Sequence, residues 1–171
     1  MKNIFDFFGS GFGVSLLPTA VLKNRKNSGA GFLGTLVAVP LVFLIPSQWA
    51  AQVFTTAAFI FFAVWVAGKT TFGGQDNPKI VIDEIAGYFC AVCLLPRTWP
   101  VMLAAFIMFR IFDTLKPFGI KKLDNIKNAW GVVLDDVAGG IFANILIQIF
   151  FILWPWVAPY FTPIHEKLIT G

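Results

Sequence analysis

Charged residues are scarce in this chain of 171 residues, and histidine and cysteine are scarcer still. Only 13% of the residues are charged, whereas 57% are hydrophobic. Ordinary globular domains have about 25% charged residues. The length indicates one domain, residues 1–171. A soluble domain of this size could not bury so much apolar surface, so the composition predicts an integral membrane protein.

The scarcity of histidine and cysteine argues against a zinc site. His165 stands alone near the C-terminus, and the two cysteines, Cys90 and Cys93, lie inside an apolar run without a second pair. Structural and catalytic zinc sites need three or four such ligands. We therefore expect Cys90 and Cys93 to be small packing residues.

Three further absences argue against particular classes of segment or protein. The apolar stretch Ile4–Phe8 is too short for a signal-peptide core and is interrupted by Asp6. No repeat of about 20–50 residues is present, which disfavours a transporter built from duplicated halves. The basic residues form no stripe interleaved with aromatic residues, so nucleic-acid binding is not predicted.

Long hydrophobic segments dominate what is there. A helix needs about 20 apolar residues to cross a bilayer. We predict an all-α, multi-pass membrane bundle of about four or five transmembrane helices. The segments run over residues 31–45, 49–67, 85–95, 99–115 and 132–154.

The two ends of the chain are expected to differ from the transmembrane segments between them. Residues 4–18 predict an interfacial or re-entrant segment, which joins a basic loop to make an N-terminal region, 1–30. Pro155, Pro159 and Pro163 argue against another long helix in the tail, 155–171.

The charges fall on one side of this topology. If five spans alternate, all basic residues except Arg97 and Lys167 lie on one side, together with every acid except Glu166. Basic loops mark the cytoplasmic side. The sequence thus predicts a membrane protein whose polar groups face the cytoplasm and the phospholipid headgroups. The pattern is compatible with a homodimer.

Two acidic pairs stand at the edges of apolar runs, Asp83–Glu84 and Asp135–Asp136. Carboxylates beside membrane segments are rare and commonly functional. The simpler interpretation is that each pair complements the positive end of a helix dipole. Gly139–Gly140 follows the second pair, and we expect it to allow close helix packing rather than to contact a headgroup.

Arg110, Asp113 and Lys116 follow one another at i, i+3 and i+6, along one flank of a helix that Pro117 ends. They could form a self-satisfied ladder of ion pairs. With the acidic pairs they also suggest a second chemistry. Clustered carboxylates suit Mg²⁺, and an arginine and a lysine beside the ion suit a phosphate group. Together they favour metal-assisted phosphate hydrolysis.

At these residues the sequence resembles the phosphatidylglycerophosphatase A family. The resemblance rests on three motifs and covers most of residues 11–150. The motifs are Ile80–Gly87, Phe109–Pro117 and Gly131–Gly139, with weaker similarity around Gly31–Leu36. The chain departs from the family at Ala30 and Phe32, where Pro and Thr are usual.

The resemblance implies Mg²⁺-dependent hydrolysis of phosphatidylglycerophosphate to phosphatidylglycerol. It also implies a multi-pass protein of the bacterial cytoplasmic (inner) membrane. The expected metal ligands are Asp83, Glu84, Asp113, Asp135 and Asp136. Catalytic roles are expected for Glu84, Asp113, Asp135, Arg110 and Lys116. Substrate contacts are expected from Arg110, Lys116, Lys79 and Thr35. The alternatives are an ion or proton transporter that uses the same carboxylates and an enzyme like the CDP-alcohol phosphotransferases, although the Asp-Gly and Ala-Arg spacing of the latter is missing.

Overall fold

The computed structural model describes residues 3–21, 29–72, 77–117 and 119–170. Over these residues the protein is helical, with no strand. The basic loop around Lys23 lies outside the described ranges. The elements are α1 (Ile4–Gly9), α2 (Leu16–Val21), α3 (Ala30–Val42), α4 (Trp49–Ala67), α5 (Ile82–Val92), α6 (Trp99–Leu115), a 3₁₀ turn (Ile120–Asn125) and α7 (Ala129–Thr170).

The long helices follow the predicted hydrophobic segments. The bounds of α4 and α6 agree with the prediction, and α5 includes Asp83 and Glu84 in its first turn. Two helical stretches are long and apolar enough to cross a membrane, α4 and the Ala129–Pro155 part of α7. Because α3, α5 and α6 are shorter, the number of four or five spans stays a prediction.

The expectation that the prolines of the tail disfavour further helix is wrong. The backbone of α7 stays helical from Ala129 to Thr170. Proline removes one N–H donor and crowds the preceding turn. Since Pro155, Pro159 and Pro163 are four residues apart, the three defects fall on the same side of the helix and leave the other side continuous.

The short helix α5 lies at the centre of the bundle. Every residue from Ile85 to Val92 is buried, and the helix packs against α3, α4, α6 and α7. Cys90 belongs to this core, which agrees with its predicted packing role, whereas Cys93 is only half-buried. The core on either side of α5 consists mainly of aliphatic residues and phenylalanine.

Polar side chains bind backbone groups at the C-terminal end of α5, at the end of the bundle opposite the acidic pair. The amide of Asn144 donates to the backbone oxygens of Ala91 at 3.0 Å and Cys93 at 2.7 Å. The side-chain oxygen of Gln52 accepts from the backbone N–H of Leu94 at 3.1 Å. These bonds satisfy backbone groups that the end of a helix leaves without partners. They therefore fix the level of α5 against α4 and α7.

The N-terminal segment packs beneath the start of α5. Asp6 is fully buried, and its two carboxylate oxygens accept from the backbone N–H and the hydroxyl of Thr71, at 2.7 and 2.8 Å. The backbone N–H of Val81 donates to the oxygen of Gly9 at 2.8 Å. Sequence reasoning treated Asp6 only as an interruption, whereas it anchors α1 to the loop that precedes α5.

Glycines bring α5 and α7 together. A Cβ at Gly140 would meet the backbone oxygen of Gly87, and one at Gly87 would lie 2.7 Å from the backbone oxygen of Asp136. At Gly139 the nearest atom, the backbone nitrogen of Asp113, would be 3.5 Å away, an ordinary contact. The predicted role in close helix packing is thus confirmed for Gly140, whereas Gly139 makes only an ordinary contact.

This difference between neighbours predicts a stability effect. Gly140→Ala should lower the free energy of unfolding by about 1–3 kcal/mol, because the new methyl group meets backbone that cannot move aside. Gly139→Ala is the matched control and should leave the thermal midpoint of the detergent-solubilised protein nearly unchanged. Equal midpoints for the two variants would contradict the packing described.

Candidate active site

The acidic motifs meet at one end of the bundle. The first turns of α3 and α5, the N-terminal part of α7 and the last turns of α6 converge there. A Cβ at Gly31 in α3 would touch the carboxylate of Glu84 in α5 and lie 3.3 Å from Arg110 in α6. Gly139 in α7 lies against the backbone of Phe112 and Asp113. The fold therefore brings together residues that are more than 50 positions apart.

Three of the five predicted carboxylates form a tight group. Asp83, Glu84 and Asp136 each offer a carboxylate oxygen, and these oxygens lie within 4.8 Å of one another. Asp136 is 4% exposed. Oxygen Oε2 of Glu84 is buried and has no hydrogen-bond partner among the described residues. Such a group of charged oxygens is costly unless a cation is shared between them.

The other two carboxylates are paired with the two cations. Arg110 Nη1 lies 2.9 Å from Asp113 Oδ2 within α6, and Lys116 Nζ reaches across to Asp135 Oδ2 in α7. Asp113 remains within electrostatic range of both Glu84 and Asp136. The simple ladder along α6 is thus formed only in its first half, because Lys116 pairs with a different helix.

Local backbone geometry explains why Lys116 points to α7. Lys116 ends α6 in the left-handed region, with φ of 44°, and its backbone N–H donates to the oxygen of Phe112 at 2.8 Å. Pro117 follows and cannot continue the helix. The chain therefore turns at Lys116, and the side chain leaves the flank that carries Arg110 and Asp113.

Two residues of α3 complete the surroundings of Arg110. Thr35 is fully buried, and its hydroxyl oxygen accepts from Arg110 Nη1 at 3.3 Å. The same hydroxyl donates to the backbone oxygen of Gly31 at 3.0 Å. The predicted substrate contact of Thr35 is untested, but Thr35 does lie beside the predicted site.

Lys79 is the predicted site residue that the structure shows in other contacts. Its side-chain nitrogen lies over the ring of Phe72, 5.9 Å from the centroid. Its backbone oxygen accepts from the hydroxyl of Ser15 at 2.7 Å. These contacts connect Lys79 to the N-terminal segment and to the loop after α4, whereas its predicted contact with the substrate stays a prediction.

The donor set of the acidic group fits a hard divalent cation. Carboxylate oxygens are the ligands that Mg²⁺ prefers, and the ion usually keeps waters and substrate phosphate as its remaining ligands. The five acids and two bases of the site carry a formal charge of −3 between them. A divalent cation would offset most of this charge in a region from which water is largely excluded.

The described part of the protein is all-helical. At one end of its helical bundle, an arginine and a lysine flank a partly buried group of carboxylates. These two features define the class of protein. Comparison with known proteins identifies the family. The chain belongs to the phosphatidylglycerophosphatase A family, whose model matches residues 7–151 and so includes every residue of the site. The predicted resemblance is confirmed, and with it the enzyme class, a phosphoric monoester hydrolase.

Individual relatives agree over most of the chain. Phosphatidylglycerophosphatase A of Haemophilus influenzae is 34% identical over 86% of this chain and 88% of its own length. The Escherichia coli protein of the same name is 28% identical over 91% of this chain and 88% of its own. A Bacteroides thetaiotaomicron protein, provisionally named a phosphatidylinositol-3-phosphatase, is 35% identical over 82% and 89% of the two chains. No solved structure matches the chain.

Proposed function

We propose that the protein is a Mg²⁺-dependent phosphatase that removes the terminal phosphate of phosphatidylglycerophosphate and leaves phosphatidylglycerol in the membrane. The observation that carries the proposal is the group Asp83, Glu84 and Asp136, with Arg110 and Lys116 held beside it by their own carboxylate partners. Family membership supplies the reaction class and supports this lipid as the substrate.

Asp83, Glu84 and Asp136 are the residues that would hold Mg²⁺. When bound there, the ion would polarise the phosphoryl group and make a nearby water more acidic. Glu84 and Asp135 are the two candidates for the general base. Oxygen Oε2 of Glu84 is buried within the acidic group, and Asp135 lies beside Lys116, from which its oxygen Oδ2 accepts.

Arg110 and Lys116 bind the phosphoryl oxygens in this proposal. Asp113 and Asp135 then have a supporting role, because each carboxylate holds one of the two cations in place. Charge that develops on the phosphoryl oxygens is stabilised most by donors that need not reorganise during the reaction. The five predicted carboxylates thus divide into three that would contact the ion and two that position cations.

Exposure of the long helices supports location in a membrane. Only 22% of the most apolar stretch of α4 is buried inside the protein, and only 33% of the corresponding stretch of α7. The core helix of a soluble protein would be mostly buried. Phe54, Phe61 and Ile152 are among many large apolar side chains exposed on the outside. Monomeric soluble proteins rarely expose such continuous apolar surface. The 19 residues of α4 measure about 28 Å, close to the hydrocarbon thickness of about 30 Å.

Tryptophans lie toward both ends of the bundle. Trp49, Trp99 and Trp154 begin or end apolar stretches at the end opposite the carboxylates, and Trp65 and Trp130 lie toward the carboxylate end, as expected for two interfacial belts. The acidic group then lies near one of the two interfaces. We propose that this interface faces the cytoplasm, because most lysines and arginines of the chain belong to its loops.

The position of the site also weighs against transport. A transport path needs ionisable groups near mid-membrane or a continuous polar route. The polar groups at the far end of α5, from Asn144 and Gln52, are occupied by backbone partners. The described carboxylates of the site lie at one end only.

The experiment that tests the proposal measures phosphate release in detergent micelles. Purified protein should release phosphate from phosphatidylglycerophosphate in the presence of Mg²⁺, and EDTA should abolish the release. Asp113→Asn should lose most of the activity while the protein stays folded, because Arg110 loses its charged partner. A folded wild-type protein without Mg²⁺-dependent release would refute the proposal.

A second substrate is worth including because of one relative. The Bacteroides protein is provisionally named for phosphatidylinositol 3-phosphate, which is also a lipid phosphate monoester. The same assay with that lipid compares the two headgroups directly. We expect phosphatidylglycerophosphate to have the higher kcat/KM, and the reverse order would reassign the substrate without changing the proposed chemistry.

A further inference from the structure

We propose that Thr35 is a positioning residue of this enzyme, whose hydroxyl holds the guanidinium of Arg110 at the edge of the acidic group. The inference rests on the proposed function. It differs from a direct substrate contact, because Thr35 would act through Arg110 and would not itself touch the phosphate.

The hydroxyl of Thr35 donates one hydrogen bond and accepts another. Its proton is used in the bond to the backbone oxygen of Gly31, at 3.0 Å, one turn earlier in α3. Arginine carries only donors. The oxygen of Thr35 is therefore the acceptor toward Arg110 Nη1, at 3.3 Å, and the bond has a fixed sense.

Arg110 is held at one nitrogen from two helices. Nη1 contacts Thr35 on α3 and Asp113 on its own helix α6. A guanidinium group has five N–H donors in a rigid plane. With both recorded contacts on Nη1, the donors of Nη2 and Nε remain for the phosphoryl oxygens. The two anchors thus set the orientation of the plane without using the donors that the substrate needs.

Within α3 itself, Ala30–Val42, Thr35 is the residue with a polar side chain. Gly31 lies so close that any Cβ there would meet Glu84 and approach Arg110 to 3.3 Å. Phe32 turns outward and packs edge-to-face on Phe106, with ring centroids 5.2 Å apart. Thr35 is the hydroxyl that α3 presents to Arg110.

The test compares Thr35→Val with Thr35→Ser. Valine keeps the shape and removes the acceptor, whereas serine keeps the acceptor. Thr35→Val should lower kcat/KM about tenfold, the effect of one hydrogen bond to a charged group. The loss should fall mainly on kcat, and inhibition by inorganic phosphate should weaken less, because Arg110 stabilises charge that develops on the phosphoryl oxygens in the transition state. Thr35→Ser should restore most of both.

Two controls separate this role from packing. Thr56→Val makes the same change at a buried threonine of α4 and should leave the kinetics unaltered. In an Arg110→Lys background, the further change Thr35→Val should have less effect than in the wild type, because the two residues act as one unit. Circular dichroism and size-exclusion chromatography verify that each variant is folded.

The outcomes are distinguishable from failure of the proposed function. If the wild-type protein hydrolyses no lipid phosphate, the proposed function fails. If the wild type is active and Thr35→Val equals it, or if serine and valine are equally impaired, the positioning role is overturned while the enzyme assignment stands.

Discussion

Asp136→Asn is expected to reduce kcat by about a thousandfold or more, equivalent to about 4 kcal/mol of transition-state stabilisation. The same variant is expected to be more stable than the wild type when Mg²⁺ is absent. Asp136 is buried against two further carboxylates and lies within electrostatic range of Asp113. Without a cation these like charges repel one another where water cannot screen them, and asparagine removes one charge at nearly constant volume.

Thermal melts with and without Mg²⁺, in parallel with the lipid phosphatase assay, check this prediction. The wild type should be stabilised by Mg²⁺, and Asp136→Asn should respond less, because binding to the folded state raises the apparent stability. A wild-type protein that Mg²⁺ does not stabilise, with an unchanged midpoint for the variant, would contradict a cation site at these carboxylates.

Asp6→Asn is the matched control and should behave in the opposite way. Both oxygens of Asp6 accept hydrogen bonds from Thr71, away from the acidic group of the site. Asparagine offers only one acceptor there and places an amide where a donor already points, so the variant should be less stable. Its activity per folded molecule should change much less than that of Asp136→Asn.

Scarcity of charge made the acidic motifs visible from the sequence. In a chain this apolar, Asp83–Glu84, Arg110 and Asp135–Asp136 stand out at the edges of hydrophobic runs. In the structure Asp83–Glu84 lies in the first turn of α5, whereas Asp135–Asp136 lies beyond the first turn of α7. The bounds of α4 were predictable for the same reason, since Trp49 and Ala67 mark where the apolar residues begin and stop.

The division of labour among the carboxylates was not predictable from spacing. Asp135 and Asp136 are neighbours in sequence, yet one contacts Lys116 and the other joins Asp83 and Glu84. Adjacent residues of a helix point about 100° apart. Which of them faces which partner depends on the rotation of α7 about its axis. That rotation is set by contacts such as Gly87 against Gly140, which no local pattern encodes.

Long-range hydrogen bonds explain the remaining differences. The anchoring of Asp6 by Thr71 and the contact of Thr35 with Arg110 join residues 65 and 75 positions apart. Lys79 was predicted to contact the substrate, and in the structure its side-chain nitrogen lies over the ring of Phe72. Its contact with the substrate stays a prediction.

Arg110→Ala is expected to lower kcat/KM by about a thousandfold, as for other arginines that stabilise a phosphoryl transition state. Arg110→Lys should recover only part of this loss, because lysine is a point charge without the planar set of donors that two oxygens can share. The kinetics are measured with phosphatidylglycerophosphate over a range of Mg²⁺ concentrations.

The Mg²⁺ dependence distinguishes the roles that Arg110 could have. Its positive charge lies beside Glu84 and Asp113, where it competes with a cation for the same carboxylates. Removing that charge should therefore lower the Mg²⁺ concentration for half-maximal activity at least about threefold, even as turnover falls.

Arg97→Ala is the control, because Arg97 donates to the backbone oxygens of Ile45 and Pro46 at the other end of the bundle. That variant should lose stability without a change in Mg²⁺ dependence. If Arg110→Ala instead needs more Mg²⁺, the guanidinium would be holding the carboxylates in shape for the ion, and the phosphate would have to be bound chiefly by Lys116.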